Sequence, residues 1–201
     1  MDNLYKKGLR LEYFTVSYNI LEATAALILG GIAASVALIG FGFDSIIESL
    51  SGIILIWRLT KGRYLPKDEE EKIERKATKF VAITFFILAF YISIVSILSL
   101  VNQDKPDSSI GGIILAVLSL IIMPILAREK MKVARALNSR ALIADAKETL
   151  ACAALAAALL SGLLFNFLFG FWQADPIAGL IIVYFLLREG IESWKGNCEC
   201  E

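Results

Sequence analysis

Histidine is absent from the 201-residue chain, and cysteine and proline are scarce, with three and four residues. The absence of histidine removes the commonest metal ligand in proteins and the usual proton shuttle near neutral pH. Any metal or proton chemistry must therefore use carboxylates and thiols. The three cysteines, Cys152, Cys198 and Cys200, do not suggest a disulfide framework.

Long polar stretches are also scarce, since 57% of the residues are hydrophobic and the mean hydropathy is +0.68. A soluble domain of this length could not bury so much apolar surface, so the lipid bilayer is the expected solvent. The sequence predicts an all-α membrane protein with six transmembrane helices, a turn at Gly40 and Gly42, and no soluble C-terminal domain. The predicted spans cover about residues 14–39, 41–59, 80–101, 110–127, 141–169 and 175–192.

Basic residues are distributed unevenly among the predicted loops. Of the 20 Lys and Arg residues, 18 fall on the side of the membrane that holds both termini, while Lys105 lies on the other side and Lys147 within a span. By the positive-inside rule, both termini are predicted to be cytoplasmic. We expect a multi-pass protein of a prokaryotic cell membrane, with the lipid bilayer as a partner and no nucleic-acid partner.

Two carboxylates lie inside the second apolar span. Asp44 and Glu48 are four residues apart, so they share one face of a helix. A charged residue at the centre of a span costs about 2.5–3.5 kcal/mol. A divalent cation between the two acids would remove both their repulsion and this cost. Protonation with hydrogen bonds to neighbouring helices is the alternative.

The fifth span has a matching anomaly. Asp145, Glu148 and Cys152 lie at positions i, i+3 and i+7, which form one stripe, while Lys147 lies on roughly the opposite face. A thiolate beside carboxylates favours zinc or cadmium over magnesium or calcium, with iron and manganese still open. Asp145 is either an entrance or outer-sphere group or a plain interfacial acid. The predicted metal site comprises Asp44, Glu48, Glu148 and Cys152.

Binding at such a site requires deprotonated ligands, so metal binding releases protons, which is sufficient for metal–proton exchange. In the first span, Glu22 and Asn19 either line the inward pathway or relay protons, or Glu22 pairs with a basic group near the inner interface. Cys198 and Cys200 in the tail either bind a soft metal or have no function. No spacing is typical of a nucleophile triad, a phosphate loop or a zinc hydrolase, so we expect no enzymatic activity.

A weak internal repeat connects the two acid-bearing spans. "SVALI" at Ser35 and "SRALI" at Ser139 match at four of five letters, and their offset of 104 residues carries the two acids of the second span onto Glu148 and Cys152. Because the two spans run in opposite directions, the match is consistent with a 3+3 inverted repeat whose site lies between the halves. A chance match in apolar sequence is the alternative.

Three segments also resemble those of a known family. They are "ASVALIGFGFDSIIESLSGIILIWRL", "SRALIADAKETLACAALAAALLSGLL" and "ADPIAGLIIVYFLLREGIE". They resemble the second, fifth and sixth helices of the cation diffusion facilitators, and the chain looks most similar to a transmembrane-only branch related to vesicular zinc transporters. The resemblance implies six helices and a homodimer that exports divalent metal from the cytoplasm in exchange for protons by alternating access, and we expect Zn²⁺ as the metal, with cadmium or iron as further candidates.

The resemblance also assigns the family's ligand positions to Asp44 and Glu48 in the second helix and to Glu148 and Cys152 in the fifth. The fifth-helix positions most often hold His and Asp in the family, so the identity of the metal is open. The metal is expected as a transported substrate and no resident cofactor is implied. A metal-binding membrane sensor or subunit that does not transport is the alternative function.

Overall fold

The computed structural model describes residues 2–60, 67–107, 109–137 and 139–195, and this part of the chain contains helices and no strand. The helices are α1 (Asp2–Ala33), α2 (Val36–Thr60), α3 (Lys67–Asn102), α4 (Ile110–Leu137), α5 (Arg140–Phe169) and α6 (Ala174–Lys195). Within the described ranges, five of them are long and apolar enough to cross a membrane; α6, with charged residues near both ends, is not among these. The prediction of an all-α membrane protein is confirmed, and a crossing by α6 stays a prediction.

Large apolar side chains cover the outside of the bundle. Aliphatic and aromatic residues of this kind, each at least 70% exposed, are Leu21, Ile32, Phe90, Val101 and Phe169. A soluble protein does not expose apolar surface on this scale, whereas a bilayer solvates it. The outward-facing composition therefore agrees with the membrane environment predicted from the sequence.

The link between α1 and α2 lies earlier in the chain than the sequence predicts. We expected the first two spans to meet at residues 39–41. α1 instead ends at Ala33, Ala34 has a left-handed φ of 51°, and α2 begins at Val36. The predicted boundary is wrong, although the acid-bearing helix that follows it is present.

The two glycines that were expected to form that turn lie inside α2 and permit close packing. A Cβ atom on Gly40 would lie 2.7 Å from Cδ1 of Ile92 in α3, and one on Gly42 would lie 2.9 Å from Cγ of Leu27 in α1. Neither position has room for a larger side chain. The glycines therefore mark the approach of neighbouring helices and not a chain reversal.

α1, α3 and α4 each extend ten or more residues beyond the predicted apolar spans. The added turns are rich in Lys, Glu and Arg, which are good helix formers. In α4 the buried stripe continues through Ala127, Lys130, Val133 and Ala134. Lys130, which was predicted to lie in the loop between the fourth and fifth spans, therefore lies inside the bundle.

The two helical hairpins α1–α2 and α4–α5 have the same turn. The N–H of Ser35 donates to the carbonyl of Gly30 at 3.0 Å, and the N–H of Ser139 donates to the carbonyl of Ala134 at 3.0 Å, which is the same pair shifted by 104 residues. Each serine Oγ also accepts from the N–H three residues further on, at 3.1 and 3.4 Å. These caps account for the serine that the two segments share, because serine is a preferred N-cap residue.

The turns of the two hairpins lie at opposite ends of the bundle. At one end, called here the terminal end, Lys7 near the start of α1 pairs with Glu129 in the last turns of α4, with 2.7 Å between Nζ and Oε2. At the other end, the N–H of Asp107 donates to the carbonyl of Ala33 at 2.9 Å. The most extensive helix pairs are α1 with α2, α4 with α5 and α3 with α6. Exchange of the first three helices for the last three preserves these pairs, which supports the inverted repeat.

Candidate metal site

Helix α2 directs its two acids into the bundle. Asp44 is 6% exposed and Glu48 is 3% exposed, while Phe43, Ile46 and Leu50 occupy the exposed face of the same turns. The spacing of four residues puts both carboxylates on one face, and packing against α1 and α5 buries that face. The second-span acids therefore face neighbouring helices and not lipid.

Helix α5 presents its predicted ligands to the same region. Cys152 is buried, Glu148 is partly buried, and Lys147, which was predicted on the opposite face, is exposed. The helix begins at the N-cap Ser139, so the stripe starts two turns from its terminal end. The spacing argument for α5 thus agrees with the burial of each side chain.

Antiparallel crossing of α2 and α5 brings the two sets together. The hydroxyl of Ser51 donates to Oε2 of Glu148 at 2.8 Å. Closer to the start of α2, Glu48 interacts with Thr149 and Cys152, and Asp44 interacts with Cys152. Residue numbers rise on α2 as they fall on α5, so the four predicted ligands line a single crossing.

The crossing does not form a closed coordination sphere in this conformation. Among the described residues, no three or more Asp, Glu or Cys side chains are arranged so that they could hold a metal ion together. The ligand set of Asp44, Glu48, Glu148 and Cys152 therefore stays a prediction, whose members the structure shows as neighbours. Both carboxylate oxygens of Glu48 lack a hydrogen-bond partner within the described part of the chain.

Helix α1 adds a fourth acid beside this crossing. Glu22 is buried and accepts a hydrogen bond from the Ser45 hydroxyl at 2.9 Å, and it also interacts with Glu48. Tyr18 and Ser119 lie close to Glu22 as well. The sequence singled out Glu22 but missed the three hydroxyl groups around it, because a hydroxyl inside an apolar helix gives no distinctive signal.

Asn19 is fully buried one turn before Glu22. Its side-chain oxygen and nitrogen have no hydrogen-bond partner among the residues that the structure describes. A buried amide of this kind requires a polar ligand or water. A role for Asn19 and Glu22 in the pathway is compatible with these positions and stays a prediction.

Asp145 belongs to a buried group of charges that the sequence did not reveal. Its Oδ2 lies 2.6 Å from Nζ of Lys130, which also lies 3.1 Å from Oε2 of Glu12 and 3.3 Å from the hydroxyl of Thr149. Asp145 is 4% exposed, and both interpretations, an entrance or outer-sphere group and an interfacial acid, stay predictions. Lys130 lies at helical spacing from apolar residues of α4, and this pattern could have identified it as the buried partner of Asp145.

Glu189 on α6 is a further acid that the sequence analysis did not select. It is partly buried and interacts with Asp44 and Glu148. The charged end of α6 therefore borders the crossing. The predicted tail groups, Cys198 and Cys200, lie outside the described residues.

Long apolar helices that bury acids and a thiol between them define a polytopic membrane protein. The chain matches the cation efflux transmembrane domain over residues 13–197 and belongs to that family. The resemblance inferred from the helix motifs is thereby confirmed.

Two relatives extend over nearly the whole chain. It is 28% identical to the uncharacterized transporter MJ0449 of Methanocaldococcus jannaschii over 189 residues, which cover 90% of this chain and 65% of that protein. It is 24% identical to Transmembrane protein 163 of Xenopus laevis over 196 residues, which cover 94% of this chain and 67% of that protein. The chain thus spans about two thirds of the length of these relatives.

Proposed function

We propose that this chain exports divalent heavy-metal cations across a membrane by proton-coupled alternating access. Zn²⁺ is the expected substrate, with cadmium and iron as further candidates. Membership in the cation efflux family supports transport of a cation, and the carboxylates with a thiol on α2 and α5 support a borderline or soft divalent metal. As the family resemblance implies, the working unit is a homodimer.

The observation that carries the proposal is the unpartnered carboxylate of Glu48. A buried carboxylate without a hydrogen-bond donor is stable only with a bound cation or a proton. Neither Glu48 oxygen has a donor among the described residues, while Asp44 and Cys152 lie beside it. A metal ion and protons would therefore compete for the same atoms, which couples the movement of one to that of the other.

The distribution of basic residues predicts the orientation of the chain, and the proposed export then gives the side of metal uptake. With both termini cytoplasmic, the terminal end of the bundle would face the cytoplasm and take up the metal. Protons from the other side would then displace it. Labelling of Cys198 and Cys200 by an impermeant maleimide tests this orientation, because intact cells should remain unlabelled until they are permeabilised. Labelling in intact cells would contradict it.

Proteoliposomes with an internal metal-sensitive dye test the transport itself. The wild-type chain should move Zn²⁺ faster when a gradient drives protons across the membrane in the direction opposite to the metal. Glu48→Gln should lower the flux on the order of 100-fold, whereas Glu192→Gln, which changes an exposed acid on α6, should leave it unchanged. Zn²⁺ binding without flux would contradict transport and favour a sensor or subunit. Flux that ignores the proton gradient would contradict exchange.

A further inference from the structure

A second group of buried charges lies between α1, α4 and α5 on the terminal side of the α2–α5 crossing. This Lys130 cluster consists of Glu12, Lys130, Asp145 and the Thr149 hydroxyl. Glu12 and Lys130 are 0% exposed, and the ammonium lies within 3.3 Å of all three partners. Three helices thus contribute to one dehydrated cation-binding point, which an ammonium fills in this conformation.

The cluster has more acceptor capacity than its lysine uses. Oε1 of Glu12 and Oδ1 of Asp145 are buried and have no hydrogen-bond partner among the described residues. The two carboxylates also interact with each other. When both carboxylates are ionised they carry twice the charge of one ammonium, so a divalent cation would then balance them more completely than Lys130 does. Carboxylate pairs of this kind are common ligands of divalent metals.

The cluster adjoins the predicted metal site. Asp145 and Thr149 flank Glu148 on the same stripe of α5, and Lys130 interacts with Glu48. A cation at the cluster would therefore be next to the α2–α5 crossing. A metal ion arriving from the terminal end would meet the cluster before it reached Glu48.

The positions that the internal repeat relates to the cluster carry no such charges. A shift of 104 residues relates the three charged members of the cluster to apolar residues, all 0% exposed. They are Ala26, Phe41 and Ala116. The hairpin architecture is therefore compatible with apolar packing at these sites, so the charges are not required to build the fold.

We propose that Glu12 and Asp145 form a second binding station for a divalent metal ion, occupied in this conformation by the Lys130 ammonium. Lys130 acts as an internal competitor that withdraws when the metal arrives from the terminal end. The inference rests on the proposed function, because it gives the station a place on the metal pathway.

Zn²⁺ titration of the purified full chain in lipid nanodiscs tests the station directly. The parent variant carries Glu48→Gln and Cys152→Ser, which remove two ligands of the predicted central site. Addition of Lys130→Met should raise the remaining Zn²⁺ affinity at least about tenfold, because the competing ammonium is gone. Further addition of Glu12→Gln should abolish that gain. The matched control is Lys132→Met, which changes an exposed lysine on α4 and should have no effect.

Equal Zn²⁺ affinity with and without Lys130 would overturn the station and leave a structural ion pair. Because Lys130→Met strands two buried acids, a charge-free variant with Glu12→Gln, Lys130→Met and Asp145→Asn provides a second measurement. Replacement of a whole buried ion cluster is tolerated better than loss of one partner. This variant should show a Zn²⁺ KM for transport raised at least about tenfold, and an unchanged KM would overturn the proposal.

The two proposals fail in different ways. Normal transport by the charge-free variant, together with loss of transport in Glu48→Gln, would overturn the station and support the proposed function. Absence of flux in the wild-type chain, with Zn²⁺ binding that still depends on Lys130 and Glu12, would overturn transport and support the station as a binding site.

Discussion

Replacement of Asp175 by alanine tests whether α6 fixes the start of α2. Asp175 lies in the first turn of α6 and is 1% exposed. Its carboxylate accepts from the Ser35 hydroxyl, from the Val36 N–H at 2.8 Å and, at 3.5 Å, from the Ala37 N–H. These groups belong to the first turn of α2, whose N–H groups have no partner within the helix. One side chain thus caps α2 from another helix.

The expected loss follows from the donors left behind. Asp175→Ala strands the Ser35 hydroxyl and the Val36 N–H in a buried position, and each stranded donor costs about 1–3 kcal/mol. The Ala37 contact is too long to add much. We therefore expect a loss of about 2–6 kcal/mol. Asp175→Asn keeps an acceptor oxygen and loses only the charge, so its cost should be about 1–2 kcal/mol.

Equilibrium unfolding in detergent micelles, followed by tryptophan fluorescence, measures both variants. Asp104→Ala is the matched control, because this acid is exposed at the same end of the bundle. In a Ser35→Ala background the effect of Asp175→Ala should shrink by about 0.5–3 kcal/mol, since one of its donors is already gone. Strict additivity, or a loss equal to that of Asp104→Ala, would refute the capping role.

Three further predictions concern the site and its packing. Cys152→Asp should shift preference away from cadmium, because thiolates favour softer metals; unchanged selectivity in a metal-competition assay would remove the thiol from the site. Gly52→Ala should destabilise the fold by about 1–3 kcal/mol, because its Cβ would lie 2.7 Å from Cγ2 of Val16. Val16→Ala should relieve this overlap. Equal unfolding midpoints for Gly52→Ala alone and for Gly52→Ala combined with Val16→Ala would contradict the overlap. Zn²⁺ affinity should fall as the pH falls, because protons compete for the carboxylates; a flat titration profile would argue against carboxylate ligands.

The sequence predicted the features that involve a large free energy of transfer into the membrane. Apolar runs of membrane length predicted the helical class, and an acid within such a run is costly enough to indicate a partner. Asp44 and Glu48 are buried on one face of α2, as their spacing indicated. The family resemblance rested on the same segments and is confirmed. The ligand role of these acids stays a prediction.

The features that were missed depend on tertiary packing. Gly40 was interpreted as a turn, but its missing side chain makes room for Ile92 of α3. Lys130 was assigned to a loop because the fourth span was predicted to end at about residue 127. In the structure, Glu12 on α1 and Asp145 on α5 compensate its charge. Such partners lie more than 100 residues away or on another helix, so no local pattern identifies them.

The two hairpins share a backbone pattern but carry different chemistry, and this difference bears on alternating access. Ser45 and Thr149 occupy equivalent positions, and each donates its hydroxyl to the carbonyl four residues earlier at 3.1 Å. The position equivalent to Asp145 is Phe41, which packs in the apolar core, whereas Asp145 belongs to the Lys130 cluster. Under the proposed cycle, opening one end separates apolar surfaces and opening the other separates charges. Apolar contact depends on the area removed from water, whereas charge separation is balanced by an arriving cation. A metal ion would therefore favour opening of the terminal end more than of the other, which gives an otherwise symmetric scaffold a preferred side for metal uptake.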